Sequence, residues 1–414
     1  MGVNHQGVPR QAYARQVVVV ASTLVLCTVC AGALKDLQQL DRIIEREMEV
    51  KHFPSVSAVI VKDGTVVWMK SFGLADVQAP VPATPETVYL TASVSKIFTA
   101  HAVMQLVEDG KINLDQDTND YLPFTIRNPR FPSKKITPRH LLTHTSSIRD
   151  NDAMMDTYYE YGRDPSLSLS DCMEAYFSKD TGENYSMKNF LGTPPGRVAR
   201  YSNIGFALLG YLVQVVSGTS FDVYTQQNIF GPICMNNTSW MLSPFKNRTL
   251  LAKPYWFKEN TGRFVAYDHY TFADYPDGGM RTSIDQMSKY LITFLNGGLY
   301  FPSKSQILKS STIREMLKPQ LPSIDATQGL CWYKETFRPD DKKEQYWSHN
   351  GGESGASTDV VLLPKYNAGV AAFSNGEEGL DAILNALLSV ARTISSVNGI
   401  PPSACCADTN VTIR

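Results

Sequence analysis

Hydrophobic positions near the start of the chain repeat first at the spacing of a helix and then at the spacing of strands. Leu37, Leu40, Ile43, Ile44 and Met48 recur every three or four residues, which indicates an amphipathic helix. The segment SVSAVIVKDGTVVWMKSFG (55–73) follows, with strand-like runs on both sides of Asp63-Gly64. An Asp-Gly pair between two such runs is typical of a β-hairpin. We therefore predict a helix followed by a hairpin.

The far end of the chain shows the same two patterns in the opposite order. The segment STDVVLLPKYNAGVAAFSNGE (357–377) predicts a second hairpin that turns at Asn367 to Gly369. A long run with helical periodicity follows, from about Leu380 to Val397.

Residues 115–250 are different, because they contain helical patterns and Pro, Gly and Asn punctuation but few strand signals. We therefore expect an α/β (α+β) fold, an antiparallel sheet flanked by helices and built from both ends of the chain. One domain would cover residues 34–400, with its sheet part at about 34–114 and 251–400. A mostly helical insertion would occupy about 115–250, and residues 401–414 would form an irregular tail.

Composition and charge limit the possible functions. The chain has 414 residues, 43% of them hydrophobic and 19% charged, so it can bury a large core and is predicted to be globular. It carries 39 basic and 40 acidic side chains without a sustained basic run. Binding of a phosphate backbone requires a positive surface, so we expect no nucleic-acid partner.

The first 33 residues resemble a targeting segment. Arg10 and Arg15 precede an apolar run over residues 17–33, which ends in the small residues Ala31-Gly32-Ala33. This layout predicts a signal peptide that is cleaved after Ala33. The alternative is an uncut signal anchor, since about 17 apolar residues are just enough to span a bilayer, and only then would the protein associate with a membrane. Both readings predict a secreted or extracytoplasmic protein.

Cysteines and glycosylation sequons agree with export. Cys27 and Cys30 lie inside the leader, and five cysteines follow it: Cys172, Cys234, Cys331, Cys405 and Cys406. In an oxidising compartment these five can form up to two disulfides, with a connectivity that the sequence does not specify. Five Asn-X-Ser/Thr sequons occur at Asn184, Asn236, Asn237, Asn247 and Asn410. We therefore expect an exported glycoprotein with disulfide bonds.

A serine and a lysine stand at the start of the most conspicuous apolar helix pattern, YLTASVSKIFTAHAVMQLVEDGKI (89–112). Ser93 is placed at the helix start, and Lys96 lies one turn later on the same side, so its amine can reach the serine hydroxyl. A hydroxyl and an amine beside helix N–H groups are what an activated serine nucleophile needs. The alternative is that Ser93 is an ordinary N-cap serine. The S-x-x-K string alone is weak evidence for a nucleophile, since Ser243-Pro-Phe-Lys246 matches it by chance.

Two further short motifs occur in suitable local contexts. Tyr201-Ser-Asn203 begins another apolar helix pattern, which Gly218 ends, and it is the only Y-x-N in the chain. His349-Asn-Gly351 comes just before a predicted strand. Taken singly, Tyr201 and Asn203 fit helix caps and His349 fits a turn.

Together, S-x-x-K, Y-x-N and H-x-G in this order resemble the serine β-lactamase-like and penicillin-binding-protein family, in particular its class C β-lactamase, D-aminopeptidase and esterase branch. The resemblance extends over ITPRHLLTHTSSI (136–148), PPGRVARYSNIGFALLG (194–210) and YPDGGMRTSIDQMSKYL (275–291). It covers about Leu34 to Val397 and implies the β-lactamase/transpeptidase fold.

The resemblance also implies roles for individual residues. Ser93 would attack an acyl carbon, and Lys96 and Tyr201 would share its proton, which requires a lowered pKa for the lysine or the tyrosine. Asn203 would hold Lys96 and the acyl side chain. The N–H groups of Ser93 and Gly352, directly after His349 to Gly351, would form the oxyanion hole. No metal or other cofactor is implied.

The sequence departs from the family pattern at two places. Many members have Lys-Thr-Gly or a similar cationic triad at the third motif, whereas this chain has no K-[ST]-G and carries His349 there. A histidine is largely neutral near pH 7, so a substrate carboxylate loses a permanent partner, and we expect it to regain one at lower pH. Ser147 replaces the glycine usual after His-Thr-Ser. His144 has no acidic neighbour in the sequence and is interpreted as structural.

The leading hypothesis is a secreted serine hydrolase that forms an acyl-enzyme on an ester, amide or lactam in a small molecule or peptide. The missing lysine favours esters or peptides over β-lactams. The alternative is a catalytically idle member that serves as a binding or assembly module. Metal-dependent hydrolysis lacks an H-E-x-x-H motif, and Gly352-Glu-Ser354 lacks the helix that a nucleophile elbow requires.

Overall fold

The structure is a computed structural model that describes residues 36–339 and 342–394. The predicted leader at 1–33, the tail at 401–414, Cys405, Cys406 and Asn410 lie outside the described residues. Strands β1 to β15 are, in chain order, Ser55–Lys62, Thr65–Asp76, Val81–Pro82, Val88–Leu90, Tyr159–Tyr161, Tyr255–Lys258, Arg263–Ala266, Tyr270–Phe272, Arg281–Ser283, Leu299–Tyr300, Ser305–Gln306, Tyr333–Phe337, Glu344–Glu353, Ala356–Leu363 and Ala368–Ser374.

The α-helices α1 to α10 are 36–51, Ser95–Glu108, Pro138–Leu142, Asp152–Met155, Leu169–Phe177, Asn203–Ser217, Phe221–Thr225, Ile284–Leu295, Ser310–Met316 and Asp381–Thr393. Seven strands form one antiparallel sheet in the order β12-β13-β14-β15-β1-β2-β3. The strands from the two ends of the chain meet where β1 pairs with β15, with Val59 opposite Ala371.

Helices cover both faces of this sheet. On one face, Leu40 and Ile44 of α1 and Leu387 of α10 belong to the same buried cluster as Val56 and Val370 of the sheet. On the other face, side chains of α8 and α2 pack in a larger cluster with Val59, Val360 and Phe373. Successive residues of a strand point to opposite faces, so a strand buried on both sides is largely apolar, and β15 is apolar up to its last residue, Ser374. The predicted fold class, an antiparallel sheet flanked by helices, is confirmed.

The first hairpin has the predicted turn. Asp63 and Gly64 both have positive φ (49° and 76°), as a two-residue turn of type I′ between right-twisted strands requires.

The second hairpin turns earlier than predicted. Pro364 follows the end of β14, a 3₁₀ turn spans Pro364–Tyr366, and Asn367 takes the left-handed conformation at φ 46°. Gly369, which was assigned to the turn, already lies inside β15. A Cβ there would be 3.3 Å from the Leu295 side chain, the Val61 side chain and the Val361 carbonyl, so this glycine permits close packing on α8. The prediction of the turn at 367–369 was therefore wrong by about three residues.

Residues 115–250 contain helices α3 to α7, several 3₁₀ turns and the short strand β5, which pairs with β8 outside this segment. The central helix α6 ends at Gly218, which has the left-handed conformation at φ 70°. Midway along α6, Gly210 lies against Pro276, where a Cβ would be only 2.4 Å from the proline ring. Through this close approach, the 3₁₀ turn Tyr275–Asp277 contacts both α6 and α2.

Cys172 and Cys331 are buried free thiols. The upper limit of two disulfides is therefore not reached, because the three other cysteines after the leader can form only one pair.

In the described ranges no single helix is long and apolar enough to cross a bilayer. One pair bent by 80°, Asn203–Ser217 with Phe221–Phe230, reaches that length and hydropathy only when its two helices are taken together.

Candidate active site

Ser93 lies in a 3₁₀ turn, Ala92–Val94, that leads directly into α2. Val94 occupies the N-cap position of α2, and no side chain there makes a capping hydrogen bond. The alternative reading of Ser93 as an ordinary N-cap therefore does not describe its position. Ala92 before it has φ 45°, a conformation that costs free energy for a residue with a Cβ. The turn is held by Thr91, whose N–H donates to Met280 and whose carbonyl accepts from the Thr358 hydroxyl at 2.7 Å.

Lys96 is completely buried and directs its ammonium group at the serine. Its Nζ donates to Ser93 Oγ at 3.0 Å, to Asn203 Oδ1 at 2.7 Å and to the Asp277 carbonyl at 2.6 Å. An ammonium has three N–H donors and no acceptor, so these three contacts use all of them. A protonated lysine satisfies all three contacts, with one N–H for each oxygen.

The electrostatic surroundings agree with that state. Burial by itself lowers the pKa of Lys96, but the neighbouring Tyr201 and Asp277 outweigh burial, and the pKa is raised above its ordinary value. The resemblance implied a lowered pKa for either Lys96 or Tyr201, and for Lys96 the change is in the opposite direction. These surroundings favour the charged form of Lys96.

Tyr201 approaches the serine from the other side. Its Oη lies 2.8 Å from Ser93 Oγ, although the two residues are 108 positions apart in the chain. Lys96 Nζ is 5.0 Å from the centroid of the Tyr201 ring. Because Tyr201 is 39% exposed, its oxygen can meet both the nucleophile and an entering substrate. It precedes α6 by two residues, so the helix start determines its position.

Asn203 is the first residue of α6, and Asp150 holds this helix start in place. The Asp150 carboxylate accepts hydrogen bonds from the Ser202 hydroxyl at 2.9 Å, the Asn203 N–H at 2.8 Å and the Ile204 N–H at 3.2 Å. A carboxylate at a helix N-terminus interacts favourably with the helix dipole. Sequence reasoning missed Asp150, because nothing in its local pattern connects it to a helix that starts more than 50 residues later.

The edge of β13 closes the site opposite Tyr201. A Cβ at Gly351 would lie 2.6 Å from the Thr358 hydroxyl, 2.7 Å from the Thr91 carbonyl and 2.8 Å from Ser93 N, so only glycine allows β13 to approach the serine turn this closely. At Gly352 a Cβ would meet nothing within 4 Å. Gly351 and Gly352 line the same cleft as Ser93, Tyr201 and Asn203.

His349 does not belong to the lining of that cleft. Its ring is buried, Nδ1 lies 2.7 Å from the Asn350 carbonyl, and the ring packs edge-on against Tyr333 with centroids 5.6 Å apart. Burial, together with the charge of Lys96, lowers the pKa of His349 to about 3. The expectation that a protonated His349 attracts anionic substrates at mildly acidic pH is therefore wrong, and so is its reading as a surface turn residue.

His144 and Ser147 have clear structural roles. His144 is buried, stacks on the Tyr201 ring at a centroid distance of 4.3 Å, and accepts the Ser202 N–H at Nδ1 (3.1 Å). This agrees with its interpretation as a structural residue, and the contacts position Tyr201. Ser147 has φ 68°, which explains why glycine is usual at this position. Its hydroxyl offsets part of the strain through hydrogen bonds to Asn128 and Thr193.

The site opens into a cleft of about 580 Å³. Its mouth lies between the 3₁₀ turn with Ser93, the start of α6, the turn Tyr275–Asp277 and the end of β13. Thus the structure brings together Ser93, Lys96, Tyr201, Asn203, Gly351 and Gly352. The His349 side chain is buried and does not line the cleft.

The profile of the family described as Beta-lactamase matches residues 40–391, most of the chain. The chain belongs to the Beta-lactamase family. Its predicted family is thereby confirmed, and the fold is that of the serine hydrolases in this group. The four polar side chains that meet in the site, Ser93, Lys96, Tyr201 and Asn203, lie at or just before the starts of α2 and α6.

Several characterised or solved proteins are similar to this member of the family. Protein flp of Staphylococcus aureus (strain N315) is 28% identical over 338 residues, which are 82% of this chain and 63% of that protein. The chain therefore matches less than two thirds of the length of that relative. A putative D-alanyl-D-alanine carboxypeptidase of Escherichia coli (strain K12) is 27% identical over 72% of this chain and 71% of its own length. The octameric penicillin-binding protein homologue of Pyrococcus abyssi is 26% identical, with a TM-score of 0.65 over 82% of this chain and 73% of its own.

Proposed function

We propose that this chain is a serine hydrolase that forms an acyl-enzyme at Ser93 on an ester, amide or lactam. The observation that carries the proposal is the contact of one serine oxygen with both Lys96 Nζ at 3.0 Å and Tyr201 Oη at 2.8 Å. A nucleophilic serine needs a group that takes its proton and a charge that stabilises the oxygen as the proton leaves. A module used only for binding has no need for either.

The proton is transferred to Tyr201 in this mechanism. The pKa of Lys96 is raised by the neighbouring Tyr201 and Asp277, so its amine stays protonated and does not accept the proton. Tyr201 enters this step as the phenolate, so its Oη accepts the proton of Ser93 as the serine attacks, and the Lys96 charge stabilises both oxygens. The same tyrosine then donates the proton to the leaving group. In deacylation a water replaces the leaving group, and the steps run in the reverse direction.

The backbone stabilises the tetrahedral intermediate in this proposal. The N–H groups of Ser93 and Gly352 serve as the oxyanion hole, since both residues line the cleft and Gly351 holds β13 against the serine turn. Asn203 orients Lys96 and leaves its amide nitrogen for the acyl group of the substrate.

Esters and amides fit this site better than β-lactams or peptides with a terminal carboxylate. The described residues that line the cleft include no lysine, arginine or histidine, so a substrate carboxylate finds no cationic partner among them. The name of the Escherichia coli relative suggests D-alanyl peptides as another substrate class. Within the proposed function, a small-molecule or peptide acyl donor without a free carboxylate is preferred.

Export remains part of the proposal. A cleaved leader ending at Ala33 would deliver the enzyme outside the cytosol, as a secreted or extracytoplasmic protein. Three of the described sequon asparagines, Asn236, Asn237 and Asn247, are exposed, so glycosylation there would not disturb the core.

Labelling with a fluorophosphonate probe tests the function. We expect one adduct, located by mass spectrometry on Ser93, and none on the Ser93→Ala variant. Ser243→Ala is the matched control, because Ser243 and Lys246 share the S-x-x-K pattern but are exposed in a loop outside the cleft. Labelling that persists in Ser93→Ala would place the nucleophile elsewhere, and an inert wild-type protein would favour the idle binding module instead.

A further inference from the structure

The cleft beside Ser93 is lined by acidic groups. Eight carboxylic side chains contribute to its wall, without any basic side chain among the described lining residues: Asp152, Asp156, Asp274, Asp277, Glu353, Asp359, Glu377 and Asp381. Carboxylates of one sign in a partly enclosed site concentrate ligands of the opposite sign. Most of these groups are partly exposed or have partners, such as Glu353, which accepts from the Tyr159 hydroxyl at 3.0 Å.

Asp274 and Asp277 differ from the others. They are only 2% and 5% exposed, they lie on the cleft wall, and Asp274 Oδ1 and Asp277 Oδ2 have no hydrogen-bond partner. Such a pair has to be explained, because buried polar atoms without partners cost about 1–3 kcal/mol each.

Lys96 is the nearest candidate partner, and its geometry excludes it. Its three donors are used by Ser93 Oγ, Asn203 Oδ1 and the backbone carbonyl of Asp277, so none is left for a carboxylate oxygen. The two carboxyl groups are therefore near a cation without being bonded to it. Burial raises the pKa of Asp274 to about 7, and burial with repulsion from Asp274 raises the pKa of Asp277.

We propose that Asp274 and Asp277 form a subsite for a positively charged nitrogen in the acyl part of the substrate. This inference rests on the proposed acyl-enzyme chemistry and specifies its substrate class as aminoacyl esters or amides. A cationic N–H donor would supply the partner that the two carboxyl oxygens lack. Carboxyl oxygens accept hydrogen bonds, and an organic ammonium has several N–H donors to offer them.

The position of the pair limits the length of the acyl group. Lys96 Nζ contacts both Ser93 Oγ and the backbone carbonyl of Asp277, so the main chain of Asp277 lies within two hydrogen-bond lengths of the nucleophile, and the carboxyl group is on the side chain of that same residue. An ammonium that reaches this wall from a carbonyl bonded to Ser93 is separated from it by only a few bonds. We therefore expect α- or β-amino acyl groups to be preferred over longer ones.

Two isosteric esters test the inference, the β-alanyl and butyryl esters of p-nitrophenol, which differ only in a terminal ammonium or methyl group. Their intrinsic reactivities differ, so the measured quantity is the ratio of kcat/KM values, compared between wild type and Asp277→Asn. Asparagine keeps the shape of the side chain but cannot form a carboxylate opposite the ammonium. We expect the β-alanyl to butyryl ratio to fall by about tenfold or more, the effect of losing one charge-assisted hydrogen bond.

Asp156→Asn is the matched control, because Asp156 lies on the same wall but is exposed, and it should change the ratio by less than about twofold. A ratio that Asp277→Asn and Asp274→Asn both leave unchanged, while the butyryl ester is still hydrolysed through Ser93, would overturn the subsite and leave the hydrolase intact.

Equilibrium binding separates the subsite from the chemistry. The Ser93→Ala protein, which lacks the nucleophile, should bind the β-alanyl ester at least about tenfold more tightly than the butyryl ester in calorimetry, and Asp277→Asn added to it should remove the difference. Binding can be measured even if the wild type hydrolyses neither ester. In that case the proposed hydrolase function would be refuted, and the subsite would still be tested by the binding difference. Equal binding of the two esters would refute the subsite.

Discussion

The rings of His144 and Tyr201 are stacked, with centroids 4.3 Å apart and planes inclined by 29°. His144 also accepts the N–H of Ser202, so one buried side chain fixes both the tyrosine ring and the start of α6. The tyrosine oxygen is thereby held 2.8 Å from Ser93 while the ring remains partly exposed to the cleft. The hydroxyl group of Tyr201 contacts Ser93, whereas its ring packs on His144. A substitution that removes only the hydroxyl therefore tests its chemical role without disturbing the packing.

Tyr201→Phe should lower kcat/KM for a short-chain aryl ester by about 10²–10⁴-fold, the usual contribution of a positioned acid–base group. The phenylalanine keeps the stack on His144, so the melting temperature should change little. Tyr161→Phe is the control, because Tyr161 is 61% exposed and lies outside the cleft lining. Nearly full activity in Tyr201→Phe would assign the proton transfer to another group.

Ser93→Ala should abolish hydrolysis of the same ester and leave the melting temperature within a few degrees of the wild type. The serine makes no capping hydrogen bond, so its loss costs α2 less than the roughly 1 kcal/mol of a typical N-cap. Thermal unfolding and ester assays on the purified variant check both parts. Activity that survives the substitution would place the nucleophile elsewhere.

Gly351→Ala and Gly352→Ala should behave differently although they are neighbours. A methyl group at 351 would collide with backbone atoms of Thr91 and Ser93, so β13 must move away from the serine turn. We expect a loss of at least about 1–3 kcal/mol in unfolding free energy together with reduced kcat. The methyl group at 352 meets open space, and Gly352→Ala should unfold at the wild-type temperature. Equal melting temperatures for the two variants would contradict the close approach at Gly351.

His349 should not make the turnover of anionic substrates depend on pH. The pKa of His349 is lowered to about 3 by burial and by Lys96, so the imidazole stays neutral between pH 5 and 7.5. The ratio of penicillin to neutral-ester kcat/KM should therefore vary with pH between 7.5 and 5 in the same way in the wild type and in His349→Asn. A rise that disappears in His349→Asn would show that the histidine does become charged in that range.

Asp274→Asn should stabilise the protein at neutral pH. In the unfolded chain this carboxyl ionises near its ordinary pKa of 3.8, whereas in the fold its pKa is raised to about 7. The folded state thus binds the extra proton, so the wild type loses stability as the pH rises from about 4 to 7. The variant lacks this loss. Its melting temperature should exceed that of the wild type by about 2 °C or more at pH 8, and the two should converge towards pH 4.

The opposite result would be that Asp274→Asn is less stable than the wild type at pH 8 and that this difference shrinks at pH 4. It would show that Asp274 has a cationic partner in the free protein. The same result would weaken the proposed subsite, which depends on an unpartnered carboxyl oxygen.

Local chemistry in the sequence was enough to predict several elements and part of the site. Asp63-Gly64 specifies its hairpin, because the turn conformation depends on those two residues alone. Ser93 and Lys96 are three residues apart at the start of an apolar helix, so their contact follows from helix geometry. The second turn was misplaced because Gly369 serves packing against Leu295, a contact that no local pattern reveals.

Tertiary structure alone decided the electrostatics of the site. The sequence shows that Lys96 and His349 are ionisable, but the direction of each pKa change depends on burial and on charges from other elements. Asp150 and Asp277 enter the site only because α6 and the turn at 275–277 pack against α2. Desolvation and Coulomb interactions act through space, between residues a hundred or more positions apart. Motif and spacing therefore indicated which groups meet at Ser93, and the fold determined which of them are charged there.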